Sequence, residues 1–274
     1  MPVAETETET YLYVNGLSVD RPIALNPHVT LHPATWVASR EVVEPLCESQ
    51  LDFAVASVFL PHVTSQLRVT ASTGRELATL AWNSVWDAVL LSALCDCEAV
   101  CNFQCSTAVE KLGPDSRLHI TNYQLRGLVE VHTMTAAEAD WAVTSFGVAR
   151  RLLSDSSFQA AVHALASYRW HSLPRARLAL LWSGIEGLFR IESEVVFRLS
   201  LYVAKFLWPD DEDRRRSAFA EVKTLYKARS AAVHGGKLKE NPGVTVQRSA
   251  ILLRQLLFRC VSLDDVPKVE RLAP

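Results

Sequence analysis

The stretch from Tyr226 to Gly236 reads YKARSAAVHGG and combines the end of a helix with two side chains of chemical interest. A helical pattern precedes it, and Gly235 and Gly236 terminate that predicted helix. Arg229 and His234 stand five positions apart in its last turns. Arginine is a permanent cation that binds a phosphate through two parallel hydrogen bonds, and histidine, with an ordinary pKa of about 6.5, transfers protons near neutrality. Together they suggest cleavage of a phosphodiester without a metal ion.

The spacing of Arg229 and His234 sets a geometric condition on that chemistry. Five residues of an ideal helix rotate by about 140°, so the two side chains do not share a face. They converge only if the helix deforms at its end or if two copies of the motif meet in a dimer. In the last turn the helix dipole favours a protonated His234 by about 0.3–1 kcal/mol, which suits a general acid. The alternative is ordinary helix-end chemistry, since basic residues often precede a glycine cap.

Composition indicates a soluble globular protein. Of the 274 residues, 49% are hydrophobic and 21% are charged, and the formal net charge is -2. Proteins that coat nucleic acid nonspecifically are usually strongly basic, so this class is disfavoured, whereas a local basic site is not. No apolar run reaches about 18 residues, and the acidic N-terminus, MPVAETETET, lacks the order of a signal peptide. We therefore expect a cytoplasmic protein that does not bind a membrane.

Four of the six cysteines, Cys95, Cys97, Cys101 and Cys105, fall in one segment with C-x-C-x3-C-x3-C spacing. A structural zinc site normally uses two well-separated pairs of ligands, and this spacing does not supply them. Small buried thiols in a reducing compartment are the favoured interpretation over a metal site. We expect neither a metal nor a cofactor.

The first half of the chain is predicted to be mixed α and β. Residues 1–10 form a disordered acidic tail, and residues 11–133 form an α+β domain of unassigned role. Its elements are short strands or extended loops near residues 11–14, 23–25 and 29–31, helices over 39–60 and 74–94, and an antiparallel pair within 117–132 whose turn is at 124–126.

The second half is predicted to be helical over residues 134–262, with an irregular tail at 263–274. Thr135 and Glu138 form a capping box at its start. The acidic run at 210–213, followed by three arginines, is typical of a solvated helix start. The predicted helices cover residues 135–153, 157–170, 175–192, 194–208, 211–234 and 245–261.

These helices resemble those of a known superfamily. Residues 177–189 read RLALLWSGIEGLF, residues 197–206 read FRLSLYVAKF, and residues 226–236 carry an R-x4-H pattern. In this order they are similar to the helical domain of the HEPN superfamily, specifically its Apea-like branch, which carries an R-x4–6-H motif. The resemblance covers roughly residues 155–262. It implies a mainly α protein, with a C-terminal HEPN-like helical bundle preceded by a smaller α+β domain.

The resemblance also implies a function. It implies a metal-independent endoribonuclease in a defence or toxin-like system, which acts on RNA as a homodimer with its cleft between protomers. Arg229 would stabilise the phosphorane, and His234 would act as general base or acid while the 2′-hydroxyl attacks the adjacent phosphate. Many active members carry Asn, Asp or His after the arginine, and this chain has Ser230. A catalytically silent dimerisation or RNA-binding module is therefore the alternative, and a helical protein that binds a small molecule is a third class.

Further residues are candidates for supporting roles. Glu186 lies in an apolar helix and needs a partner; it either orients Arg229 or pairs structurally with Arg177 or Arg190. Tyr226 either flanks the cleft or packs with its neighbour in the chain.

Three basic residues, Arg175, Arg177 and Lys237, could bind RNA phosphates through their charge. The alternative for these side chains is simple solvation.

Overall fold

The computed structural model describes residues 3–122, 130–191, 194–233 and 241–272. The chain divides into two compact units, Met1–Gly147 and Val148–Pro274. The first unit is mixed α and β and the second is helical, which confirms a mainly α protein with an α+β region on its N-terminal side. The division falls inside a helix, whereas the sequence pattern places the change at residues 133–134.

Unit 1 is built on a six-stranded sheet. The described strands of the unit, six in this sheet and two in a separate pair, are β1 (Glu9–Asn15), β2 (Leu17–Ser18), β3 (Ile23–Asn26), β4 (Val29–Pro33), β5 (Val63–Thr70), β6 (Val100–Cys105), β7 (Leu118–Ile120) and β8 (His132–Thr133). Its helices are α1 (Arg40–Val43), α2 (Gln50–Phe59), α3 (Gly74–Leu94) and α4 (Ala136–Leu152), whose last residues belong to unit 2. The strand order is β3-β4-β5-β1-β6-β7, with antiparallel neighbours, and β2 pairs with β8 in parallel.

The central strand β1 places apolar side chains on both faces of the sheet, because successive residues of a strand point in opposite directions. Tyr13 packs with Phe103 and with Phe59 of α2 in one core, and its hydroxyl donates to the Thr107 carbonyl at 2.7 Å. Leu12, which points to the opposite face, is fully buried, and α3 contacts β1, β5 and β6. The sheet is thus covered on both sides.

Among the described residues, α3 is the one helix that is long enough and apolar enough to span a membrane. It has 21 residues, and an 18-residue stretch of it has a mean hydropathy of 1.3. Of that apolar stretch, 56% is buried inside the protein. Burial against a sheet is typical of a core helix. The helix matches the predicted range of 74–94.

The predicted disordered tail is partly wrong, since β1 already begins at Glu9. The Gly74 amide donates to the Glu5 carbonyl at 3.3 Å, and a Cβ at Gly74 would lie within 2.9 Å of backbone atoms of this segment. Glu9 pairs with Arg68 at 2.7 Å, and Glu7 pairs with Arg117. The acidic residues that suggested disorder are therefore paired with two arginines, Arg68 in β5 and Arg117 just before β7.

One further prediction in unit 1 is wrong, and a second falls largely outside the described residues. The helix predicted over 39–60 is broken into α1, a tight helical turn at Glu44–Leu46 and α2, because Cys47 is extended and Ser49 caps a new helix by accepting from the Asp52 amide at 3.1 Å. The predicted antiparallel pair within 117–132 is not seen in the described residues, where β7 pairs with β6 and β8 pairs with β2. Its predicted turn at 124–126 lies outside the described residues.

The cysteines carry free thiols, and all but Cys47 are buried. Burial, with a smaller contribution from Asp87, raises the pKa of Cys101 to about 12, and burial raises that of Cys260 to about 12. Thiols held protonated in this way are poor nucleophiles and poor metal ligands. Among the described residues, no group of three or more His, Cys, Asp or Glu side chains could hold a metal ion.

Unit 2 is helical. Its elements are α5 (Ser156–Ser167), a short turn at Tyr168–Trp170, α6 (Pro174–Phe189), α7 (Val195–Leu207), α8 (Glu212–Val233), α9 (Pro242–Leu263) and α10 (Val269–Leu272). These ranges agree with the predicted helices to within a few residues. The short α10 falls within the segment predicted to be irregular. The predicted capping box at α4 is confirmed, with the Thr135 amide donating to Glu138 at 2.9 Å and the Glu138 amide donating to Thr135 Oγ1 at 3.3 Å.

Helix α6 lies at the centre of unit 2, where it contacts α5, α8 and α9. Gly184 allows both α5 and α9 to approach α6 closely. A Cβ at this position would lie 3.0 Å from Ala164 Cβ and 3.2 Å from both Ala161 Cα and Leu253 Cδ2. One turn away, a Cβ at Gly187 would meet nothing within 4 Å.

The two glycines of α6 provide a test of this packing. Gly184→Ala should lower the free energy of unfolding by about 1–3 kcal/mol, because the added methyl group overpacks a contact that includes backbone and alanine atoms. Gly187→Ala, the matched control, should raise it by about 0.5–1 kcal/mol through helix propensity. Urea unfolding followed by circular dichroism measures both, and equal effects of the two substitutions would contradict the described approach of the helices.

Candidate functional site

Helices α6, α8 and α9 bring together a set of polar and aromatic side chains inside unit 2. Trp182 and Glu186 are four residues apart on α6 and therefore share a face. Tyr226 and Arg229 are three residues apart on α8 and do the same. Ser249 is fully buried on α9. We call these five residues the α6–α8 cluster.

The central contact of the cluster is an ion pair. Arg229 Nη2 lies 3.1 Å from Glu186 Oε1, and the two side chains are only 20% and 30% exposed. The contact lacks the angles of a hydrogen bond. Glu186 Oε1 and a second arginine atom, Arg229 Nε, are both buried and make no hydrogen bond within the part of the chain that the structure describes. The pair is thus held mainly by charge.

Burial raises the pKa of the Glu186 carboxyl, and the Arg229 charge lowers it in part. Desolvation therefore outweighs the attraction at this position, as is common for ion pairs removed from water.

The structure decides among the three arginines considered as partners of Glu186. Arg177 instead donates from Nε to the His171 carbonyl at 2.5 Å, and the Arg190 guanidinium lies 3.9 Å from Asp155. The glutamate contacts Arg229 across the α6–α8 interface.

Two aromatic rings pack next to the arginine, one against its guanidinium and the other against the first ring. The guanidinium carbon of Arg229 lies 5.5 Å from the centre of the Tyr226 ring, within the range of a cation–π contact. That ring meets Trp182 edge to face at 5.3 Å, and the Trp182 indole N–H donates to Ser249 Oγ at 3.1 Å. Burial raises the pKa of Tyr226, followed by the nearby Glu186 charge, so its hydroxyl stays protonated at neutral pH. Tyr226 both packs and flanks the arginine.

The cluster can bind an anion. A planar guanidinium fixed by a carboxylate and an aromatic face loses little entropy when a phosphate accepts its remaining N–H groups. Ser230, the next residue along α8, is half-buried and lies beside Arg229 in sequence. Thr245, one turn before Ser249 on α9, is fully buried, and its Oγ1 makes no hydrogen bond to the described residues.

The predicted site is only partly covered by these observations. His234 and Lys237 lie outside the described residues, since α8 is described to Val233. The convergence of Arg229 and His234 stays a prediction. Arg175 and Arg177 stand at the start of α6, at least nine residues before Glu186, which corresponds to about 14 Å of helix. The structure does not bring them to the ion pair.

Sequence reasoning missed Trp182 as a supporting residue, together with Ser249 and Thr245. The available signal was the pair of hydroxyl residues four apart among apolar positions of α9, where a buried hydroxyl needs a partner. Only the structure shows that the Ser249 partner is Trp182.

No protein-family model and no curated protein matches the sequence, and no solved structure matches the fold. The resemblance to the HEPN superfamily therefore depends on the motifs given above.

The raised pKa of Glu186 predicts how stability depends on pH. A carboxyl whose folded-state pKa is raised contributes stability below its ordinary value of 4.5, and this contribution is lost as pH rises through the raised pKa. Glu186→Gln removes the ionisable carboxyl, so the variant does not lose stability in this way as pH rises. The unfolding free energy of the variant, relative to the wild type, should therefore increase between about pH 4 and pH 7.

Urea unfolding at the two pH values measures this difference. Glu221→Gln is the matched control, since Glu221 also pairs with an arginine, Arg248 at 3.3 Å, but is 47% exposed. The control should show the smaller change. A relative stability of Glu186→Gln that falls with rising pH would contradict the dominance of burial.

Proposed function

We propose that the chain is a metal-independent endoribonuclease of the HEPN type, in which Arg229 and His234 cleave RNA by attack of the 2′-hydroxyl on the adjacent phosphate. The observation that carries the proposal is the Arg229–Glu186 pair at 3.1 Å, which holds a guanidinium near the helix end that precedes His234. We place the activity in the cytoplasm, in a defence or toxin-like system.

The chemistry needs no group beyond those of the chain. The 2′-oxygen forms a bond to phosphorus and loses its proton to a general base, while the bond from phosphorus to the 5′-oxygen breaks and that oxygen gains a proton. The products are a 2′,3′-cyclic phosphate and a 5′-hydroxyl. Arg229 neutralises the charge on the nonbridging oxygens, and His234 serves as base or acid. Positioning of the tethered hydroxyl supplies much of the remaining acceleration.

A homodimer is part of the proposal. Because a five-residue step rotates about 140° on a helix, one protomer does not naturally aim both side chains at one phosphate. Two copies of the helix end, meeting across a dimer axis, would supply Arg229 from one protomer and His234 from its partner. RNA would then lie in the cleft between protomers.

A silent RNA-binding or dimerisation module is the second candidate, and one feature of the sequence favours it. Ser230 stands where many active members carry Asn, Asp or His. In that case the Arg229–Glu186 pair would bind a phosphate without cleaving the strand.

Cleavage of labelled RNA in excess EDTA tests the proposal. The wild type should cleave RNA but not DNA of the same sequence, and His234→Ala should slow cleavage by about 100-fold or more, because proton transfer is lost. His163→Ala, which changes an exposed histidine of α5, is the matched control and should cleave at the wild-type rate. Activity that persists in His234→Ala, or that EDTA abolishes, would contradict the mechanism.

Arg229 variants separate the nuclease from the silent module. Arg229→Lys keeps the charge but loses the planar guanidinium. If the chain is a nuclease, the cleavage rate should fall on the order of 100-fold, while the RNA affinity should change much less. Gel-shift and cleavage assays measure the two quantities. RNA binding that depends on Arg229, with no cleavage by the wild type, would instead support the silent module.

A further inference from the structure

Helix α8 is divided by charge into two halves. Its acidic residues, Glu212, Asp213 and Glu221, all lie in the first half, whereas residues 222–233 contain no Asp or Glu. The cations of this second half are Lys223, Lys227 and Arg229. A helix segment of one charge sign, on a chain whose formal net charge is -2, is a surface that attracts anions.

The acidic side chains of the first half are already paired with arginines. Arg216 lies 2.5 Å from Glu212 and 3.8 Å from Asp213, and Glu221 lies 3.3 Å from Arg248. These carboxylates therefore neutralise the arginines around them, and the excess of positive charge on α8 is concentrated in its second half.

Within that second half, the lysines carry the charge that is left. Arg229 is paired with Glu186 inside the α6–α8 cluster. Lys223 and Lys227 are exposed, and in the part of the chain that the structure describes neither ammonium group pairs with a carboxylate. Lys223 Nζ lies 6.0 Å from the centre of the Phe219 ring, which is the outer limit of a cation–π contact. Both lysines can therefore bind an external anion.

The two lysines share one face of α8. They are four positions apart, which places them one above the other with a rise of about 6 Å. The buried residues of this stretch lie on the opposite side of the helix: Val222, Leu225 and Ala232. His234 follows Lys227 by seven positions, which is close to two turns, so the predicted helix over 211–234 would carry His234 on the lysine face.

We infer that Lys223 and Lys227 bind phosphates of the RNA strand on one side of the bond that is cleaved at the proposed site. The inference rests on the proposed function and extends its substrate contacts. Lysine is a flexible point charge, so these contacts position the strand without reading its bases. An acidic polypeptide is the other macromolecule that such a face attracts, but RNA is favoured because the face leads toward a guanidinium and a histidine.

The length of the helix sets the length of RNA that is needed. Eleven residues separate Lys223 from His234, and they rise by about 16 Å. At roughly 3.4 Å per stacked nucleotide, this distance corresponds to about five nucleotides. A dinucleotide would fill the proposed site without reaching the lysines.

Binding of a labelled oligoribonucleotide with 2′-O-methyl groups throughout tests the contacts separately from cleavage, because such a strand cannot be cut by 2′-hydroxyl attack. Lys223→Gln and Lys227→Gln should each lower the slope of log affinity against log salt by about 0.7, and weaken binding about fivefold at about 0.1 M salt. Lys111→Gln, the matched control, removes the same charge from an exposed lysine of unit 1 and should change neither quantity. Fluorescence anisotropy measures the affinity, and circular dichroism confirms that the three variants fold.

Cleavage kinetics in EDTA give a second measurement. On a long RNA the two α8 variants should raise KM and leave kcat unchanged, whereas a dinucleotide should be cleaved equally well by the variants and the wild type. A general disturbance of the site would instead slow cleavage of both substrates.

The outcomes separate this inference from the proposed nuclease. Lysine-dependent binding without any cleavage would refute the nuclease and support the lysine contacts. Cleavage with wild-type affinity and an unchanged salt slope in both α8 variants would overturn the inference and leave the nuclease standing. The inference would also be overturned if polyglutamate of equal charge bound as tightly as the RNA, since the face would then fit an acidic protein.

Discussion

The pairing of Arg229 with Glu186 is the interaction on which the functional interpretation of unit 2 depends. Each charge loses most of its water when α6 and α8 pack together, and burial still raises the pKa of the Glu186 carboxyl despite the nearby arginine. An ion pair of this kind gives little net stability, because desolvation offsets the attraction. Its value is geometric. It fixes a cation between two helices, at a height on α8 just before the glycine pair that ends the predicted helix.

The packing around the pair explains why its position is defined. Gly184 lets α5 and α9 approach α6 closely, and the buried Trp182 links α6 to α8 through the Tyr226 ring and to α9 through Ser249. The cluster is therefore supported from three helices, and packing of this kind holds a side chain in a defined position.

Much of this fold could be predicted from the sequence, because apolar periodicity and capping residues act locally. The α3 range, the capping box of Thr135 and Glu138, and the positions of α4 to α9 follow from such patterns. Long-range pairing could not be predicted. Nothing in the local sequence indicates that β7 pairs with β6, that β8 pairs with β2, or that Arg68 neutralises Glu9 in the first strand.

In the candidate site, too, local patterns could be predicted and long-range contacts could not. Arg229 was predicted from its motif and Glu186 from its need for a partner, but the choice of Arg229 over Arg177 depends on how α6 packs against α8. Ser249 lies 67 positions from Trp182 in the sequence, and no local pattern joins them.

A double-mutant cycle between Glu186 and Arg229, measured on the rate of RNA cleavage in EDTA, tests most directly whether the ion pair positions the arginine for phosphate. Glu186→Gln should reduce the rate about tenfold in the wild-type background and should have no further effect in the Arg229→Gln background, because the carboxylate acts through the guanidinium. Equal effects of Glu186→Gln in both backgrounds would contradict this role for the pair.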